Sequence, residues 1–255
     1  MAFLGDPNFP IFAIGATRGD RILLYQSLYK QYSTLAFSKI EDRRIGIGGL
    51  EQRLIRAFKV QGGFGIFQGY ADHEEDHGYF GRSLLWKRAE EVEKMTKIDY
   101  TSMKPPVLVP TWSWMAYREE IDYIDEKNLP FNGVKWKTEE IQSPWSPSPT
   151  NPWHTGDRRG NIDLTGVARD FTSNTSNESN ITYDDPAVSA DPALKCVVIG
   201  TKKYRASAAE LRHYVLIIKP KPGTGNDGAF ERVGVGFMPG ASISLNGSGL
   251  KVRIR

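Results

Sequence analysis

The sequence predicts an α+β protein in which two N-terminal helices precede a mostly antiparallel β-rich region with long loops. Between residues 20 and 58, apolar residues recur at the 3.6-residue spacing of a helix with one buried face. Gly62 and Gly63 end that pattern, and short apolar runs bounded by turn residues follow, as is typical of strands. We therefore expect a helical segment over residues 1–60 and a β-rich region over residues 61–255.

Two polar stretches interrupt the predicted β-rich region. Residues 143–160 are rich in proline and predict an extended loop. Residues 171–192 are rich in Ser, Thr, Asn and Asp and poor in large apolar side chains, which predicts local disorder. Because candidate strands flank both stretches, we interpret them as long insertions. Residues 220–228 predict the loop of a final hairpin.

Charge and composition limit the classes of function. The 255 residues carry a net charge of only +3, whereas a nucleic-acid-binding face needs many clustered basic residues. No run of about 18 apolar residues is present, so we expect no membrane span. The first residues lack the basic start of a secretory signal. Cys196 is the only cysteine, which excludes an internal disulfide and favours a cytoplasmic protein.

The first predicted helix covers residues 20–37, and a Ser38-x-x-Glu41 capping-box pattern predicts the start of the second. The apolar faces of the two helices comprise Leu24, Leu28, Tyr32 and Leu35 in the first and Ile47, Leu50, Leu54 and Phe58 in the second. Gly46, Gly48 and Gly49 weaken the start of the second helix, because glycine disfavours helix interiors. We therefore expect a close approach to the backbone there.

Two tryptophans one residue apart mark the most specific candidate strand. In a strand over residues 111–117, Trp112 and Trp114 would point to one face, because side chains alternate with period two. Residues 89–98 predict a further helix. The other candidate strands cover residues 65–68, 81–87, 121–124, 134–138, 162–168, 195–201, 213–220, 231–237, 242–245 and 251–254.

A zinc-protease pattern occurs at His73-Glu74-Glu75-Asp76-His77. That chemistry needs two imidazoles one turn apart on a rigid helix, with the glutamate as the base. Here the pattern lies among acidic residues between two glycines, which is typical of a solvated loop. A small zinc-dependent hydrolase using His73 and His77 is therefore an alternative to the main prediction.

Other candidate groups favour structural roles. The run Gly46-Ile47-Gly48-Gly49 lacks the Lys-Ser/Thr ending of a phosphate loop. Cys196 lies in an apolar run, which indicates a buried packing residue. Asp184 and Asp185 have no evident partner in the stretch predicted to be disordered.

The tryptophans suggest a second alternative, a β-type carbohydrate-binding module. Six are present: Trp86, Trp112, Trp114, Trp136, Trp145 and Trp153. Core packing is expected for the first four, which lie in candidate strands. Trp145 and Trp153 in the proline-rich loop are the better candidates for an exposed contact surface.

Four short motifs occur in order along the chain: Tyr32-Ser33-Thr34-Leu35, Asp42-Arg43-Arg44-Ile45-Gly46-Ile47-Gly48-Gly49-Leu50, Arg82-Ser83-Leu84-Leu85-Trp86 and Pro110-Thr111-Trp112-Ser113-Trp114-Met115-Ala116. This order resembles the region that follows the core of fungal HET (heterokaryon incompatibility) domain proteins. The later run Arg232-Val233-Gly234-Val235-Gly236 also resembles the closing part of such chains. The family's core motifs, Leu-Ser-Tyr-x-Trp-Gly and Trp-Ile-Asp-x-Leu-Cys-Ile-x-Gln, do not occur in this sequence.

The resemblance implies a function without catalysis. The family's core is similar to TIR domains, so any nucleotide chemistry of the family would reside there. The matched positions are then structural: Asp42, Arg43, Gly49, Leu50, Leu85, Trp86, Pro110, Trp112, Ser113 and Trp114. We assign no catalytic, cofactor-binding or metal-binding residue. We expect an intracellular module that recognises another protein in fungal self/non-self incompatibility and cell death, with residues 143–160 and 171–192 as contact loops.

Overall fold

The structure, a computed structural model, describes residues 15–69, 77–103, 106–124, 133–145, 162–172, 179–203, 211–222 and 228–255. The helices there are α1 (Arg18–Ser33), α2 (Asp42–Phe58) and α3 (His77–Leu84). The strands are β1 (Gln61–Gly63), β2 (Ile66–Gln68), β3 (Trp86–Arg88), β4 (Ile121–Tyr123), β5 (Val134–Trp136), β6 (Ile141–Gln142), β7 (Leu164–Arg169), β8 (Asn180–Tyr183), β9 (Lys195–Lys202), β10 (Arg212–Pro220), β11 (Ala229–Pro239) and β12 (Leu250–Ile254). The predicted α+β class, with two N-terminal helices before a mostly antiparallel β-rich region, is confirmed.

The two N-terminal helices begin and end at different signals from those expected. Thr17 and Asp20 form the capping box of α1, and α1 ends at Ser33 rather than residue 37. The N-cap of α2 is Glu41, whose side chain makes no capping hydrogen bond, so the predicted Ser38–Glu41 capping box is wrong.

The expected close approach to the second helix occurs at one of its three glycines. The Tyr32 hydroxyl lies directly against Gly46, because it donates to the backbone oxygen of Arg43 at 2.8 Å. A Cβ atom at Gly48 or Gly49 would meet nothing within 4 Å. Gly46 therefore allows α1 and α2 to pack through a tyrosine hydroxyl.

Five strands form a closed barrel. β9, β10 and β11 are an antiparallel meander. β11 then pairs with β12 in parallel, and β12 pairs with β7. The antiparallel pairing of β7 with β9 closes the ring. A ring of five strands needs one parallel pair, because antiparallel neighbours alternate in direction, and β11–β12 supplies that pair.

The described residues form three apolar clusters. The first, the helical cluster, lies among α1, α2 and the β3–β4 pair. The second, the barrel cluster, fills the interior of the barrel. The third, the outer cluster, lies on the outside of β9–β11 beneath β8 and a 3-10 helix at residues 186–190. On β9, Val197 and Ile199 point into the barrel and Cys196 and Val198 point outward, as period-two alternation requires.

Several predicted elements differ in the structure. Residues 89–98 form turns instead of a helix, because Met95 N–H donates to Asp184 (2.7 Å) and Ile98 N–H donates to Ala116 (2.8 Å). Over residues 81–87, α3 continues to Leu84 and only β3 follows. The predicted strand over residues 242–245 is replaced by a 3-10 helix, Gly240–Ser242, and one isolated bridge at Ile243.

Much of the second polar insertion is ordered. Residues 179–192 contain β8 and the 3-10 helix Pro186–Ala190, so the predicted disorder is wrong for this part. Residues 173–178, and residues 146–160 of the first insertion, lie outside the described residues. Within the described ranges, no helix has the length and apolar character needed to cross a bilayer.

Candidate functional site

Trp112 and Trp114 stand on opposite sides of a turn. Residues 114–116 form a 3-10 helix, and the Ser113 hydroxyl accepts the N–H of Met115 at 3.1 Å while donating to the Phe64 carbonyl oxygen at 2.7 Å. Trp112 belongs to the barrel cluster and Trp114 to the helical cluster. The predicted strand with both rings on one face is therefore wrong, and the motif joins two cores.

The neighbouring motif residues converge on the same junction. Leu85 packs in the barrel cluster and Trp86 in the helical cluster. The indole N–H of Trp86 donates to the backbone oxygen of Trp112 at 2.8 Å. Pro110 is buried, and its carbonyl oxygen accepts the N–H of Ser113 at 3.0 Å, which starts the turn.

On α2, the motif residues divide between core and solvent. Arg43 and Leu50 are buried, whereas Asp42 and Gly49 are exposed. The Arg43 guanidinium donates to the carbonyl oxygens of Arg118 and Glu119, the latter at 3.1 Å, and lies 5.4 Å from the Trp114 ring centroid. Burial lowers the pKa of Arg43. Its contacts tie α2 to the Trp114 turn.

A second buried arginine, which the sequence did not identify as a site, links three distant segments. The guanidinium of Arg232 is fully buried against the face of the Trp86 ring. It donates to the Trp86 carbonyl oxygen at 2.7 Å and lies 3.3 Å from a carboxylate oxygen of Asp184. Burial raises the pKa of Asp184, and the Arg232 charge opposes that rise.

Asp184 and Asp185, which had no evident partner in the sequence, both form ion pairs in the structure. Asp184 pairs with Arg232, and Asp185 forms an ion pair with Lys94 at 2.7 Å. Asp185 also caps the 3-10 helix by accepting the N–H of Ala187 at 3.0 Å. These contacts hold the second insertion against the barrel.

The glycines of the Arg232–Gly236 motif make room for β8. A Cβ atom at Gly236 would lie 2.7 Å from the Cα atom of Ile181, and one at Gly234 would lie 3.2 Å from that of Tyr183. The first distance is too short for a side chain, and the second is tighter than most real Cβ contacts. In this motif, residues that pack in the apolar clusters therefore alternate with glycines that leave room for β8.

A cleft of about 350 Å³ lies between β8 and the β3–β4 pair. Its lining combines polar and apolar side chains: Lys87, Asp122, Tyr123, Ile124, Asn180, Thr182 and Phe237. Asn180 and Thr182 come from the insertion predicted to be disordered. Their alternation with Ile181 and Tyr183 was a period-two signal in the sequence, obscured by the polar composition around it.

The charges around the cleft are predominantly positive. Asp122 forms an ion pair with Lys30 at 2.6 Å and lies opposite Lys87 in the β3–β4 ladder. Burial acts to raise the pKa of Asp122, but its hydrogen bonds and the charges of Lys30 and Lys87 lower it overall. The Arg212 guanidinium lies 4.2 Å from the Phe237 ring centroid.

The alternative sites are not assembled by the described residues. His73 lies outside them, and His77 begins α3. No group of three or more His, Cys, Asp or Glu side chains within the described ranges is arranged to hold a metal ion. Burial raises the pKa of the Cys196 thiol to about 12, which disfavours the reactive thiolate.

The described tryptophans pack inward. Trp86, Trp112 and Trp114 are buried. Trp136 is partly buried and packs against the barrel cluster. Trp145, expected to be exposed, also packs there, with its ring centroid 6.5 Å from that of Trp112. Trp153 lies outside the described residues.

Comparisons of the chain with protein-family models, with curated proteins and with solved structures gave no match. The candidate site therefore rests on the geometry of this chain alone, and the cleft beside β8 is its centre.

Proposed function

We propose that this chain is a non-catalytic, intracellular recognition module of the HET type, acting in fungal self/non-self incompatibility and cell death. The observation that carries the proposal is the cleft, since the polar insertion supplies two of its side chains, Asn180 and Thr182. Clefts lined by a few polar groups among apolar ones are the usual form of binding sites. The resemblance to HET-type chains supplies the biological context.

Successive side chains of β8 point alternately to the outer cluster and to the cleft. Ile181 and Tyr183 pack against the outer cluster, whereas Asn180 and Thr182 face the cleft. Substitutions at the cleft-facing positions can therefore alter partner choice without disturbing the residues that hold β8 on the barrel.

The motif tryptophans support a structural role for the matched residues. Trp86, Trp112 and Trp114 are each at most 1% exposed, so they offer no surface to a substrate. They join the helical and barrel clusters and thereby fix the β3–β4 pair opposite β8. A rigid frame of this kind keeps a binding cleft in shape before its partner arrives.

The test compares two arginine variants of the full chain in a fungal host. Asn180→Arg fills the cleft, and Thr165→Arg places the same side chain at an exposed strand position on β7. We expect Asn180→Arg to reduce partner capture and cell-death output while the control leaves both unchanged. Equal output from both variants, with equal thermal stability, would refute the proposal.

A metal analysis tests the non-catalytic part separately. Purified protein is expected to contain zinc well below one equivalent, with or without the substitution His73→Ala. Stoichiometric zinc that disappears in His73→Ala would overturn this part of the proposal and favour the hydrolase alternative.

A further inference from the structure

We propose that the cleft binds an acidic, extended peptide segment of a partner protein, which adds as a strand to the outer edge of β8. The inference rests on the proposed recognition function and names the chemistry of its partner. Hydrogen bonds along β8, the charge around the cleft and the side chains that line it each point to this occupant.

The hydrogen-bonding register shows which residues of β8 point their backbone groups away from β11. The N–H of Asp184 donates to Val233 at 2.8 Å, so residues 184 and 233 are a hydrogen-bonded pair of the antiparallel ladder. Such pairs alternate with pairs that point their backbone groups outward. Tyr183 and Ile181 are therefore the outward-pointing residues of β8.

Only one of these two outward positions is occupied within the part of the chain that the structure describes. The carbonyl oxygen of Tyr183 accepts the Arg88 guanidinium at 3.0 Å. Ile181 pairs in the ladder with Gly236, and none of the described strands is hydrogen-bonded to its other side. An open strand edge is a template for an incoming extended chain.

The charges around the cleft favour an acidic peptide. Three cations surround the cleft, since Lys87 lines it, Lys30 pairs with its Asp122, and Arg212 stacks on its Phe237. Asp122 is the only carboxylate among the described lining residues, and Lys30 already forms an ion pair with it. Lys87 is thus left to attract an anionic group, and a basic segment would meet net repulsion.

The remaining lining residues suit an alternating peptide. Asn180 and Thr182 offer hydrogen-bonding groups, while Tyr123, Ile124 and Phe237 offer apolar and aromatic surface. A strand with acidic residues on one face and apolar residues on the other presents both kinds of group at period two. The cleft volume of about 350 Å³ is enough for a few such side chains.

The test uses fluorescein-labelled peptides of alternating Glu and Val, with Lys-Val peptides of equal length as the charge control, titrated against the full chain. We expect the acidic peptide to bind at least about fivefold more tightly than the basic one. Lys87→Glu should weaken its binding by a further factor of about five, and Lys87→Gln by less. Lys251→Glu, at an exposed position on β12, should leave the affinity unchanged.

A second probe tests strand addition. Methylating alternate backbone nitrogens of the acidic peptide removes the donors of one edge while keeping its charge. Strand addition predicts that one of the two methylation patterns abolishes binding. Equal binding of both methylated peptides and the parent would rule out backbone pairing.

Two outcomes overturn the proposal and distinguish it from the function on which it rests. If acidic and basic peptides bind equally, or Lys87→Glu leaves the affinity unchanged, the occupant is not an acidic segment. If Asn180→Arg nevertheless abolishes cell-death output, the recognition function stands with a partner of different chemistry. If both experiments fail, the cleft is not the recognition site.

Discussion

The guanidinium carbon of Arg232 lies 3.2 Å from the centroid of the Trp86 ring, and the same side chain is 3.3 Å from Asp184. One residue of β11 thereby joins the Leu-Leu-Trp motif to the polar insertion. All three side chains are buried. The contact explains how a segment of polar composition is held in a defined place beside the cleft.

We expect Arg232→Met to destabilise the protein by about 3–5 kcal/mol, because it leaves the Asp184 carboxylate buried without a counter-ion. Urea unfolding measures the loss. The double variant Arg232→Met/Asp184→Leu should recover most of it, since an apolar pair of similar volume can replace a buried ion pair. A double variant no more stable than the single one would contradict this account.

Gly236→Ala is expected to displace β8, because its Cβ atom would lie 2.7 Å from the Cα atom of Ile181. Overpacking of this kind costs about 1–3 kcal/mol. Amide hydrogen exchange should rise at residues 180–183. The matched control is Gly49→Ala, whose Cβ meets nothing within 4 Å and which should stabilise α2 by up to about 1 kcal/mol. Equal effects from the two changes would refute the close approach.

Trp112→Ala and Trp114→Ala should each cost about 3–5 kcal/mol, as expected for large buried side chains. Their local effects should differ, because the rings lie in different clusters. Native-state hydrogen exchange should rise mainly in the barrel for the first variant and in α1 and α2 for the second. The same set of exchanging amides in both variants would show that the motif serves a single core.

Acid should destabilise the protein through His213. This imidazole is buried, with Nδ1 3.1 Å from the Thr201 hydroxyl, and burial lowers its pKa. In the unfolded chain its pKa is about 6.5, so below that pH the unfolded state binds more protons and stability falls as pH drops toward the folded pKa. Unfolding free energies of the wild type and His213→Gln, measured from about pH 7.5 to 5, should diverge. Parallel curves would exclude His213 as the cause.

Patterns along one element predicted much of the fold. Apolar runs bounded by turn residues located β9, β10 and β12 within a few residues, and the helical spacing located α1 and α2. These signals succeed because each helix buries one face against a cluster, whereas β9 and β10 bury both faces, so the local pattern reflects the tertiary environment.

The turn between Trp112 and Trp114 could not be predicted from the periodicity of apolar residues alone. Its cause is the Ser113 hydroxyl, which bonds Met115 locally and Phe64 far away in sequence. Side-chain bonds to the backbone compete with strand pairing, and the distant partner is known only once the chain has folded. A serine between two aromatic residues was the available signal.

The cleft and the Arg232–Asp184 pair depended on contacts that sequence spacing does not encode. The two partners are separated by β9 and β10 in the chain and meet only because β8 docks on β11. The polar composition around Asn180 predicted disorder where a short strand forms. The charged residues at 89–98 predicted a helix where turns form. In both cases tertiary contacts override the local preference.

The place of β12 in the ring sets the order in which the chain can fold. β12 lies between β11 and β7, so the circle of hydrogen bonds stays open until residues 250–254 have been synthesised. On the ribosome, β7 and β11 therefore each keep an unpaired edge until β12 has been synthesised. Such late, sequence-distant pairing slows folding and exposes strand edges to other nascent chains. We expect emergence of β12 from the ribosome, rather than emergence of the helices, to limit the appearance of the folded barrel.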